Sequence, residues 1–249
     1  MALKLPTRLA SEPLVEVVSE MRFDAPGDIA VNLLPGILHE KFGPFDRQER
    51  TFPGLLPPEI LASDPTFVFR PQVLLIKDNR IIQVGPRMVS VACRAPYPGW
   101  TEFSARVREI FDVVCRQSFV SAFEWLSLKY VDVVIRGNES PTLGWLDANV
   151  ELAGTRIEAQ PSNVRVEFAD GPLTTVVQIA SPVRTQSEGG IGATVEGVLV
   201  DVDTIHREPF EDFASQYPDL LDRLHGTNKA QFFSLLTEET IHRLGPEYS

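Results

Sequence analysis

The stretch from Pro13 to Phe23, "PLVEVVSEMRF", alternates in period two. Val15, Val17, Ser19, Met21 and Phe23 share one face; Glu16, Val18, Glu20 and Arg22 share the other. Period two of this kind predicts a half-buried strand. The period then lengthens. "DIAVNLLPGILHEKFG" places Val31, Leu34, Leu38 and Phe42 on one helical stripe that Gly43 closes, with Pro35 either kinking the helix or starting a second one. Residues 44–65 are proline-rich and patternless, and predict a long loop with one helical turn. "TFVFRPQVLLIKD" and "RIIQVGPRMVSVAC" predict two strands, joined in a hairpin at Asp78-Asn79.

The segment "APYPGW", Ala95 to Trp100, separates these strands from an amphipathic helix carrying Phe103, Val107, Ile110, Phe111 and Val114. Two prolines fix extended backbone and Gly99 permits a turn into the helix that Trp100 opens. "FEWLSLKYVDVVIRG" predicts a long strand with Leu128, Tyr130, Asp132 and Val134 on one face. Residues 145–163 fit no period. Beyond them lie a hairpin about Asp170-Gly171, a loop "SEGGIGAT", a last strand "VEGVLVDVDTIH", and one long helix from Pro218 to Gly245. That helix has Leu221, Leu224, Phe232, Leu235 and Leu236 as its stripe.

Strands in hairpin runs, each run closed by a helix, predict an α+β protein of mostly antiparallel sheet. The order suggests two similar halves, residues 1–120 and 121–249, sharing one core. No repeat at the level of residues accompanies it.

Composition adds boundaries. The chain has 249 residues, enough for a core that needs no disulfide or metal. Its formal net charge of −11 and lack of a dense basic run argue against a phosphate-neutralising nucleic-acid surface. An acidic surface suits a basic protein partner better; another protein or a second copy of the chain is the expected partner. Cys93 and Cys115 form no CxxC pair, and each lies on an apolar face, so both read as small hydrophobes in a reduced cytoplasmic setting. Neither a signal-peptide-like run nor a membrane-length apolar stretch is expected.

Candidate chemistry begins at Asp201 and Asp203 in "VLVDVDTI", whose spacing of two puts both carboxylates on one strand face. With Asp132 as a third acid, such a pair is a candidate Mg²⁺ or Mn²⁺ site for phosphoryl transfer. The plainer reading is a solvated face with Val200 and Val202 turned to the core. Glu16, Glu20 and Arg22 either line a groove or form a surface ion pair. "GGIGATVEG" lacks the GK[ST] of a phosphate loop and precedes a strand, which leaves a hairpin loop. The histidines form no HxH or HxxxH; His225 and Asn228 sit on successive turns near the apolar stripe and read as buried hydrogen-bonding groups. Tyr97 and Trp100 are either packed under the helix start or binding anchors.

Four segments in order, "PLVEVVSEMRF", "VGPRMVSV…PYPGW…F", "LSLKYVDVV" and "LVDVDTI…LHGTNKAQFFSLLTEETIHRLG", resemble a sporadically distributed family of uncharacterised bacterial proteins of about this length. Lys129 and Asp132 stand where that family's pattern tends to have Arg and Asn. The resemblance implies no reaction, but its patchy distribution is similar to that of accessory, mobile or defence-linked genes. Three functions follow as expectations. The first is a protein-interaction or regulatory component of an accessory, toxin–antitoxin or phage-defence system, without cofactor. The second is a metal-dependent phosphoryl-transfer enzyme or nuclease. The third is a small-molecule sensor whose ligand sits between the two halves.

Overall fold

A computed structural model describes residues 5–57, 60–61, 64–137, 139–186 and 194–248. Strands β1 (Arg8–Leu9) and β2 (Leu14–Asp24) precede helix α1 (Ile29–Phe42). Strands β3 (Arg47–Arg50), β4 (Val73–Lys77), β5 (Arg80–Gly85) and β6 (Met88–Arg94) lead into helix α2 (Trp100–Cys115). Strand β7 (Ser121–Val134) follows, then the hairpin of β8 (Val150–Leu152) and β9 (Thr155–Ile157). Strands β10 (Ser162–Asp170), β11 (Leu173–Gln186) and β12 (Thr194–His206) precede helices α3 (Phe213–Ser234) and α4 (Glu238–Arg243) and strand β13 (Pro246–Glu247).

Nine strands form one antiparallel sheet in the order β10-β11-β12-β7-β2-β6-β5-β4-β3, so the protein is α+β. The order repeats. In the first half β2 pairs with the last strand of the β4-β5-β6 meander, and α2 follows; in the second, β7 pairs with the last strand of β10-β11-β12, and α3 follows. The two first strands, β2 and β7, pair with each other and make the seam.

Alternation decides what packs where. Val17, Met21 and Phe23 of β2, Leu126 and Leu128 of β7, and Val200 and Val202 of β12 are all buried beneath the helices. Helix α3 spans two apolar clusters. Tyr217, Leu221 and Leu224 join the cluster under α1 and α2, while Phe232 and Phe233 join one over β11 and β12. Asn228, 1% exposed, pins this helix to the sheet by donating to the Leu128 and Val202 carbonyls at 3.0 and 2.7 Å.

The structure revises several expected elements. Pro35 lies inside one continuous helix. The patternless stretch 44–65 contains the edge strand β3, Arg-Gln-Glu-Arg, whose exposed charged residues give no apolar period to read. "TFVFRPQVLLIKD" begins with a 3₁₀ turn (Pro65–Phe69) before β4, and "RIIQVGPRMVSVAC" is a hairpin of two strands rather than one. The C-terminal helix starts earlier, at Phe213, and breaks at Leu235–Thr237, where the Thr237 hydroxyl donates to the Trp145 carbonyl. The two-residue strand β13, not β12, is last. Gly189–Ala193 of the glycine-rich segment lie outside the described residues. No helix among the described residues is long and apolar enough to cross a membrane.

Asn228→Ala leaves helix α3 without its ties to two carbonyls of the sheet. We expect it to lower the unfolding free energy by about 2 kcal/mol, measured by urea denaturation.

Candidate functional site

The two ends of the β2–β7 seam are filled differently. At one end, Phe23 of β2 and Phe123 of β7 meet edge to face at 6.3 Å, and Phe123 stacks on Phe213 at 4.3 Å. Phe210 and Tyr217 extend the cluster, so aromatic rings close that end. At the other end, Leu14 of β2 and Asp132 of β7 face an open cleft of about 510 Å³. The N-terminal segment Pro6–Pro13, the 97–100 turn and helix α3 complete its walls.

The corner that opens α2 builds one wall. Gly99 has φ +92°, a conformation that suits a residue without Cβ, and its carbonyl accepts from the Phe103 amide. The turn thereby presents Tyr97 and Trp100 to the cleft, both half-buried. The Trp100 indole stacks on the His225 ring at 4.0 Å and 5°, and its Nε1 donates to Asp222 Oδ1 at 3.2 Å. Arg108 of α2 donates to the other Asp222 oxygen at 2.9 Å. Helices α2 and α3 are thus clamped at the cleft mouth. Core packing and lining of the cleft, alternatives in the sequence, coexist in these two aromatics.

Behind them runs a chain of hydrogen bonds. The Tyr97 and Tyr130 hydroxyls are 3.3 Å apart, and the Tyr130 hydroxyl is 3.0 Å from His225 Nδ1. Burial raises both phenols above their ordinary range. Burial, with Lys229 close by, pulls His225 down to about 4, so its ring is neutral at pH 7. Lys229, one turn further along α3, is lowered by burial too. His225 and Asn228 are both hydrogen-bonded as expected, but to the sheet rather than to each other.

Asp132 is the most unusual group. It is 5% exposed, and among the described residues its carboxyl has no hydrogen bond or ion pair. Burial first, then the nearby carboxylates of Asp201 and Glu12, push it up to about 8. Glu12 is itself raised by burial, against the pull of Arg8. At pH 7 Asp132 is therefore a protonated acid, able to donate through its hydroxyl and accept through its carbonyl, or to ionise against an incoming cation.

The proposed grouping of Asp132 with Asp201 and Asp203 does not form. Asp132 pairs with Val200 and shares its buried face, whereas Asp201 pairs with Val131 and Asp203 with Lys129 on the opposite face of the sheet. Asp201 there is bound to Lys129 at 2.7 Å. Asp203 is pushed up to about 7 by burial, and its Oδ1 is buried without a hydrogen-bond partner among the described residues. No group of three His, Cys, Asp or Glu suited to a metal ion occurs among the described residues. The same face carries Glu16, Glu20 and Arg22. Arg22 bonds Glu20 at 2.7 Å and lies between Phe69 and Trp125, 4.7 and 3.8 Å from their ring centres; Glu16 pairs with Arg94 at 3.3 Å. These residues pair among themselves along a sheet face and do not reach the cleft.

No family model matches the chain, and no curated protein matches it.

Glu12, Tyr130 and Lys229 join the cleft without having stood out in the sequence. Tyr130 and Asp132 carried one legible sign, two polar groups on the inward face of a strand between Leu128 and Val134. Glu12 and Lys229 carried none, because the fold alone brings the N-terminal segment against α3.

The folded-state pKa of Asp132 lies above its unfolded value near 3.9. Between about pH 4 and 8 the unfolded chain releases a proton that the folded chain keeps, so stability contributed by this group falls as pH rises through that window. Asp132→Asn removes this slope. We expect the variant to gain on the wild type progressively from pH 5 to pH 8, by on the order of 3 kcal/mol at the upper end, in paired urea titrations.

Proposed function

We propose that the protein is a small-molecule-binding, regulatory protein whose ligand enters the cleft at the open end of the seam between its two halves. The observation that carries this reading is Asp132, a buried carboxyl without a hydrogen-bond or ion-pair partner among the described residues, facing a cavity of ligand size. Burying such a group costs stability unless something compensates it. Retaining it beside a cavity is understandable if a ligand supplies the missing partner.

The lining defines the ligand's chemistry. Leu14, Phe232 and Phe233 offer an apolar bed, and the Tyr97 and Trp100 rings stand at the wall. Asp132 and Glu12 favour a protonated nitrogen, which would draw the Asp132 proton off and form a charge-assisted pair. The ligand we propose is a small amine or amidine with an apolar or aromatic body. A sensor of this kind would suit a regulatory component of an accessory or defence system, the setting that the sequence resemblance suggests. The phosphoryl-transfer reading loses its support where Asp132 and the Asp201–Asp203 pair lie on opposite faces.

A ligand-observed NMR screen with fragments balanced between amines, carboxylates and neutral aromatics tests the reading. Amines should dominate the hits, and Asp132→Asn should weaken them at least about tenfold, as loss of a buried charged partner implies. Hits spread evenly across the three classes, or unchanged in the variant, would overturn it.

A further inference from the structure

The nine-stranded sheet ends in two unlike edges. Strand β3 is four residues long, exposed throughout and charged at three of its four positions, the usual protection against pairing with another chain. Strand β10 is nine residues long and exposed along most of its length. Its inner edge pairs with β11 over all nine residues, and its outer edge has no neighbouring strand among the described residues. Val164, Val166 and Phe168 share the helix-side face, because they pair with Ile179, Val177 and Thr175, which are buried there. Val166 and Phe168 are nonetheless 42% and 48% exposed.

An edge this long with apolar residues on it is a pairing template unless something blocks it. The charges of β10 do not block self-association; they match it. The sequence around Val166 is Val164-Arg165-Val166-Glu167-Phe168. Place a second copy antiparallel, with the two-fold axis at Val166. Each Val164 then lies opposite Phe168 of the other copy on the helix side, and each Arg165 lies opposite Glu167 of the other copy on the far side. Both cross-strand pairs are favourable, and each occurs twice. Within one chain Arg165 Nη2 already donates to Glu167 Oε1 at 2.6 Å, and both side chains are about half exposed, within reach of a neighbouring strand.

We propose that two copies of this chain pair through the β10 edges, joining their sheets into one continuous antiparallel sheet. The dimer rests on backbone hydrogen bonds along the edge, on the apolar contact of Val164, Val166 and Phe168, and on the two Arg165–Glu167 pairs.

Sedimentation equilibrium from micromolar to submillimolar protein tests this, with circular dichroism to verify that each variant is folded. Wild type should be a dimer. Arg165→Glu sets like charges opposite each other in the dimer and should weaken it at least about tenfold. The double exchange Arg165→Glu with Glu167→Arg restores opposite charges in swapped places and should recover the dimer to within about threefold of wild type. Val166→Lys brings two ammonium groups together on the axis and should give monomer. A wild type that stays monomeric throughout overturns the proposal. A dimer that neither Arg165→Glu nor Val166→Lys disturbs also overturns it, because its interface then lies elsewhere. Failure of the double exchange to rescue overturns the register.

Discussion

Antiparallel pairing of β2 with β7 turns two strand meanders into one sheet, and most of the molecule's features follow from it. Within each half the first strand has one partner from its own meander. Its other edge would be an open template. Pairing the two first strands removes both templates at once and sets Val17, Met21, Leu126 and Leu128 side by side under the helices. Ser19 adds a buried cross-seam bond, its hydroxyl donating to the Ser127 carbonyl at 3.1 Å. Helix α3 then lies along the sheet as a 22-residue brace over both apolar clusters.

The seam has two ends, and their contrast separates structure from site. Stacked rings of Phe123, Phe213 and Tyr217 fill the end near Phe23. Such packing removes apolar surface from water. Near Leu14 and Asp132 the same architecture keeps a cavity, a neutral histidine, two linked phenols and a carboxyl held in its protonated form. Each of these carries a desolvation cost that an apolar residue would avoid. The helices around these groups are held by hydrogen bonds to Asp222 and from Asn228. Clamped helices around one carboxyl that lacks a partner among the described residues suit a preorganised binding site.

The charged face of the sheet works in the other sense. Arg22 stacked between Phe69 and Trp125, and Lys129 on Asp201, neutralise most of the acids that look chemically promising in the sequence. The pairs Arg22–Glu20 and Arg94–Glu16 are partly solvated and contribute little individually. Carboxylates with cationic partners on a sheet face are a structural feature. A carboxyl without one, under a helix, is a functional candidate.

The period-two and helical patterns alone determined the α+β class, the hairpin at Asp170-Gly171, and the inward direction of Val200 and Val202. Each depends on residues a few positions apart, whose directions the backbone geometry fixes. The corner at Pro96–Trp100 was legible for the same reason, since proline and glycine restrict their own backbone. Strand β3 was not legible, because a solvated edge strand needs no apolar face and its pairing with β4 is a tertiary fact. Nor was the break at Leu235–Thr237, which answers to the distant Trp145 carbonyl. The sequence placed Asp132 on a strand face with Tyr130, but which sheet neighbours that face would meet depends on register. Register put Asp132 opposite Val200 rather than Asp201 and moved it from a metal site into a cleft, where the fold also brings Glu12 from the N-terminal segment and His225 and Lys229 from α3. Contacts between residues a hundred positions apart are set by how the sheet orders its strands, and no local pattern encodes that order.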